Sequence, residues 1–203
     1  MNYAEIKTLT LSYADRQDDL ELSDALDGFI SVVTSRINRQ LRTTAMAIEA
    51  TIHVTSTEQS MFGLPEKFGG IRDIEVIADG QASGITAAYV NPEQMNNADA
   101  STGTYYTIVA NQIQMHPALS KASIKVVYYR LLDDLVEPTD TNWLSEINPD
   151  VYIFGLMVEV LAFVKNFEGS MMWEQRFSSA VGAITEADQT DRWSGTPLTI
   201  RIG

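Results

Sequence analysis

The chain has 203 residues, 45% of them hydrophobic and 20% charged, which supports a folded core and excludes the disordered classes. A formal charge of -13 leaves too few Lys and Arg to displace counterions from a phosphate backbone, so non-specific nucleic-acid binding is not expected. With no cysteine, disulfides, thiolate nucleophiles and thiolate metal sites fall away together.

The opening residues lack a basic stretch followed by an apolar run, so a cytoplasmic protein without a secretory signal is expected. Residues 3–13 carry Ile6, Leu9 and Tyr13 at helical spacing and lead into a polar acidic loop over 15–21. Ser23 is the expected cap of a second helix, with Asp24 and Asp27 in its first turn and Arg36, Arg39 and Arg42 toward its end. Leu26, Ile30, Val33, Ile37 and Leu41 form its buried stripe.

From Ile48 the period becomes two: Ile48, Ala50, Ile52 and Val54 alternate with Glu49, Thr51, His53 and Thr55. Further strands are expected at 71–77, 85–90, 105–109, 113–116 and 123–130, with a hairpin across Ala110-Asn111-Gln112. Asn148-Pro149 restarts helix, Asn as cap and Pro in the first turn, and that helix should run to about Phe167. Gly169-Ser170 is the expected break before a last helix whose stripe is Trp173, Phe177, Ala180, Val181 and Ile184, the two helices forming an antiparallel hairpin. The chain closes on an alternating extended segment with Leu198, Ile200 and Ile202 on one face.

The order of elements predicts an α+β fold, the N- and C-terminal helices packed as a bundle with an antiparallel β region inserted between them. The expected divisions are a first helical part at 1–47, an inserted β domain at 48–130, an acidic loop and helical hairpin at 131–193, and the extended segment at 194–203.

Chemistry finds little to work with. His53 and His116 stand apart in expected strands, no phosphate loop, dinucleotide fingerprint, nucleophile elbow or paired-histidine zinc motif is present, and no cofactor is expected. Acidic residues 15–27 lack the central Gly and final Glu of a calcium loop, and solvated acids are the better reading.

Three features invite a partner. Residues 151–164 are apolar on nearly every side apart from Glu159 and too short for the roughly 18 to 20 residues of a spanning helix, so no membrane is expected. A neighbouring subunit touching Tyr152 and Phe154, or full burial within one chain, would each satisfy this helix. No basic residue lies between Arg130 and Lys165, while Asp133, Asp134, Glu137 and Asp140 crowd the loop; a solvated connection is slightly favoured over an acidic wall that keeps DNA from sticking. Arg36, Arg39 and Arg42 either complement the helix end and nearby acids or contact another subunit.

Five ordered stretches carry a resemblance: Arg36-Ile37-Asn38-Arg39-Gln40-Leu41-Arg42; Leu64-Pro65-Glu66-Lys67-Phe68 with Ile71-Arg72; Val127-Tyr128-Tyr129-Arg130; Thr141-Asn142-Trp143-Leu144 with Asn148-Pro149-Asp150-Val151-Tyr152-Ile153-Phe154-Gly155; and Trp173-Glu174-Gln175-Arg176-Phe177. The ending Arg192-Trp193-Ser194-Gly195 adds to them. Together they resemble the head-to-tail adaptor family of short-tailed bacteriophages, which includes tail accessory factors, gatekeepers and tail tubular proteins of the A type. Asn148 departs from the His common before that Pro, and Glu168-Gly169 departs from a commoner acidic pair. The resemblance implies a non-enzymatic virion protein: a dodecameric ring under the portal protein, a central channel through which genomic DNA passes unbound, and attachment of a tail nozzle or tail tubular protein, with fibres or tailspikes as further candidates. It also makes 194–203 a candidate arm toward the portal, Leu198, Ile200 and Ile202 suiting strand addition. A head-completion protein of siphophage type and a tail-borne cell-wall hydrolase are the alternatives.

Overall fold

The computed structural model describes residues 1–55, 57–95 and 97–194, with the side chains of Trp193 and Ser194 left aside. In chain order the elements are helices α1 (Tyr3–Tyr13) and α2 (Leu20–Gln40), strands β1 (Ala47–Val54), β2 (Gln59–Gly63), β3 (Phe68–Ala78), β4 (Ile85–Thr86) and β5 (Ala88–Tyr89), and a one-turn helix α3 (Pro92–Met95). Strands β6 (Tyr105–Val109), β7 (Gln112–Leu119) and β8 (Ala122–Arg130) follow, then helices α4 (Trp143–Ile147), α5 (Pro149–Phe163) and α6 (Phe167–Ser194). The fold is α+β, with helices flanking a central β region. Two compact units result: a helical unit, Met1–Ala45 with the described chain from Leu132 onward, and a β unit, Met46–Leu131.

In the helical unit, α1 starts on a capping box in which the Asn2 and Glu5 side chains exchange bonds with each other's backbone N–H. Asp19, not Ser23, caps α2: its carboxylate accepts from Leu22 N–H, so the helix begins at Leu20 and the acidic loop is shorter than expected. Both residues suit a cap, and the sequence pattern alone gives no preference between them. Leu22, Leu26, Ile30, Val33 and Ile37 form the buried stripe.

The apolar helix α5 is covered by α1, α2, α4 and α6 of its own chain. Eight of its residues, from Val151 to Val160, are buried within one chain, while Phe154, Leu161 and Ala162 are half-buried and Phe163 is exposed. At Gly155 α2 and α6 come so close that a Cβ would stand 2.7 Å from Val33 Cγ1 and 3.1 Å from the Phe177 ring. Asn148 precedes Pro149 as expected, but its side chain makes no capping bond.

The hairpin between α5 and α6 turns earlier than Gly169-Ser170. Helix α5 ends at Phe163, Lys165 takes a left-handed conformation, and Asn166 N–H reaches back to Leu161 O. Asn166 then caps α6 by accepting from Gly169 N–H at 3.0 Å. A lysine in this left-handed place does the work usually signalled by glycine, which is why the glycine misdirected the reading.

The β unit holds two four-stranded sheets, ordered β1-β8-β3-β4 and β2-β7-β6-β5, antiparallel except where β5 pairs with β6. One core joins them, with Ile74, Ile124 and Val126 from the first sheet and Phe62, Ile113 and Met115 from the second. Strand β8 alternates as the period-two pattern requires, Ala122, Ile124, Val126 and Tyr128 pointing inward. Ala110 and Asn111, both at positive φ, make the two-residue turn of the β6–β7 hairpin. The expected strand over 85–90 divides: Ile85 and Thr86 pair with β3, Ala88 and Tyr89 with β6, and Ala87 crosses between the sheets. Periodicity reports extension and is blind to a change of sheet.

Candidate functional site

Helix α2 carries Arg36 into the seam of the helical unit, where it meets two carboxylates. Its guanidinium is 2.7 Å and 2.8 Å from the two oxygens of Glu174 on α6, and 3.6 Å from Glu159 on α5. It also lies over the Phe177 ring at 4.6 Å from the centroid. One half-buried cation therefore ties three helices, and it explains Glu159: a charge within the apolar run 151–164 needs a partner on folding.

The other two arginines of that helix end behave differently. Arg42 lies beyond α2 and donates to the carbonyls of Asn38 at 2.5 Å and Leu41 at 2.6 Å, closing the helix C-terminus. Arg39 is exposed in the last turn.

Tyr152 is fully buried and presents no surface. Its hydroxyl accepts from Asn142 Nδ2 at 2.9 Å, and burial raises its ionisation above the usual phenol range. The same Nδ2 donates to Asp133 O, while Asn142 Oδ1 accepts from Ser145 N–H in a capping box that starts α4. Phe154 is half-buried and packs on Trp173, whose ring also meets Tyr13 and Arg176. Phe154, Met172, Arg176 and Ala180 line an open groove between α5 and α6.

The acidic loop is partly internal structure. Asp140 Oδ2 accepts from Glu137 N–H at 2.8 Å and Val136 N–H at 3.0 Å, and these bonds hold its carboxyl below the ordinary range. The carbonyls of Asp140 and Pro138 receive the first amides of α1, Tyr3 and Ala4. Asp134 and Glu137 are exposed, and Asp133 is half-buried. Leu198, Ile200 and Ile202 lie outside the described residues.

Four of the quoted stretches thus meet in two pairs, and the other, Thr141-Asn142 with Tyr152, closes on itself. Arg36 grips Glu174 and Phe177, and Asn38 accepts from Leu132 N–H as the chain returns to the helical unit. Thr141-Asn142 holds Tyr152, and in the β unit Phe68 stacks on Tyr128 while Lys67 O accepts from Leu131 N–H. Among the described residues no group of three or more acidic or histidine side chains is arranged to hold a metal ion.

A family model described as SU10 adaptor protein matches residues 1–201. The chain belongs to the SU10 adaptor protein family. This is a family of phage head-to-tail adaptors, structural components of the virion that interact with portal and tail parts. No curated protein matches the chain. In this SU10 adaptor the motif residues hold helix to helix and strand to strand through the contacts above.

Sequence reasoning missed one feature in each unit. Glu159 stood in view as the lone charge of its run, and pairing it with an arginine was open to inference. The outer edge of β1, unpaired among the described residues, left no local signal, because strand order is set by pairing between distant segments.

Proposed function

We propose that the chain assembles as a ring of twelve under the portal protein, seals or extends the DNA channel, and presents the platform to which the tail attaches. The observation that carries this reading is the family match along 1–201. A tail nozzle or tail tubular protein sits on the distal face, and fibres or tailspikes join there. Asp134 and Glu137, exposed on the loop, are the candidates to face the channel, where like charge would let DNA slide past.

The burial of α5 within its own chain favours a subunit that is stable alone and joins its copies on the portal. Native mass measurement tests this: monomer by itself and a twelve-copy ring when mixed with the portal of the same phage. A stable free dodecamer overturns assembly on the portal, and failure to bind the portal overturns the adaptor reading.

A further inference from the structure

Among the described residues the β unit has one long and regular strand edge without a pairing partner. Among the described residues β1 is paired only with β8, through eight consecutive positions from Ala47↔Tyr129 to Val54↔Ala122 without a bulge. The other edges are two-residue β4 and β5, and five-residue β2 with its register shift. Native sheets guard such an edge with charge, lysine above all, or with proline, bulges or brevity, and the β1 sequence Ala-Ile-Glu-Ala-Thr-Ile-His-Val has one acid, Glu49, and no lysine, proline or bulge. The apolar face is also incompletely covered along this edge: Val54 is buried, Ala50 and Ile52 are half-buried, and Ile48 is 38% exposed.

The sequence contains one segment that fits. Pro197-Leu198-Thr199-Ile200-Arg201-Ile202 alternates with period two, and its length exceeds what β2, β4 or β5 can pair. With Leu198, Ile200 and Ile202 on the face of Ala50 and Ile52, the segment would extend the core over the edge. Thr199 and Arg201 would then lie on the outer face with Thr51 and Glu49, the one acid of β1 opposite the one base of the segment.

We propose that residues 197–202 of one copy add as a strand to β1 of a second copy. This rests on the ring reading above. Each chain has one donor segment and one acceptor edge, which is what a closed head-to-tail ring requires of each member. Backbone pairing of this kind also suits subunits of net charge -13, because its main attraction does not depend on opposite charge.

The absence of cysteine makes the test direct. In the full chain, T51C is combined with T199C or with R201C, all on the outer face, and the protein is oxidised after mixing with the portal. The expected result is a ladder of covalent multimers longer than dimers, lost on reduction, lost when I200D is added, and absent from each single-cysteine variant. A portal-bound ring in native mass measurement with no ladder overturns strand exchange and leaves the ring standing. A crosslink confined to single chains overturns the second-copy assignment, and a chain that forms no ring overturns both readings.

Discussion

Arg36 and Tyr152 are the two side chains whose loss the helical unit should feel most. R36A leaves Glu159 and Glu174 facing each other across the seam without their cation and strips the contact with Phe177. Breaking a fully buried pair costs about 3 to 5 kcal/mol, and the exposure of Glu174 reduces this to roughly 2 kcal/mol. R39A, on the exposed side of the same helix, should change stability by less than about 0.5 kcal/mol. Urea unfolding followed by helical circular dichroism checks both, and equal effects would refute the clamp. Y152F removes the acceptor of a buried amide, and about 1 to 3 kcal/mol of stability should go with it. The sequence displayed these residues without their roles. Arg36, Arg39 and Arg42 share a spacing, yet one clamps three helices, one closes a helix end and one faces solvent, because each position meets different neighbours after folding.

At the scale of elements, the approach of α2 and α6 to α5 depends on a missing side chain. G155A gains about 0.8 to 1 kcal/mol of helix propensity, but it forces the new methyl against Val33 and Phe177, and overpacking of this kind costs roughly 1 to 3 kcal/mol. The variant should be less stable in thermal unfolding; a gain would show that the seam can open freely. The acidic loop has its own signature. Backbone amides depress the folded ionisation of Asp140, so its stabilising bonds are fully present above the unfolded carboxylate range and are lost as pH falls through the lower folded value. D140A should therefore speed amide hydrogen exchange at Val136 and Glu137 at neutral pH, where the native chain protects them. Long periodic elements such as α2 and β8 were legible because burial imposes one repeat along their length. The start of α2, the turn at Lys165 and the sheet change at Ala87 were not, since competing caps, a left-handed lysine and a distant pairing decide them.

Across the whole molecule, charge is uneven: the residues of the helical unit include 19 of the 27 acids and 9 of the 14 basic residues, those of the β unit 8 and 5. Copies brought together in a ring repel, and salt relieves that repulsion as the screening length falls from about 10 Å at 0.1 M to about 3 Å at 1 M. Sedimentation of the portal complex should show ring formation favoured by added salt; weakening would mean that ion pairs hold the copies together. The adaptor class was legible because the residues that carry it, among them Arg36, Asn142 and Glu174, are the ones that fix the helical unit. The β1 edge was illegible because it exists only once β8 and β3 have paired. The central claim, a structural joint between head and tail, is tested most directly by electron microscopy of particles made by the phage with this chain deleted. The account predicts heads that carry portals and lack tails, restored by supplying the chain in trans. Intact tailed particles in its absence would contradict it.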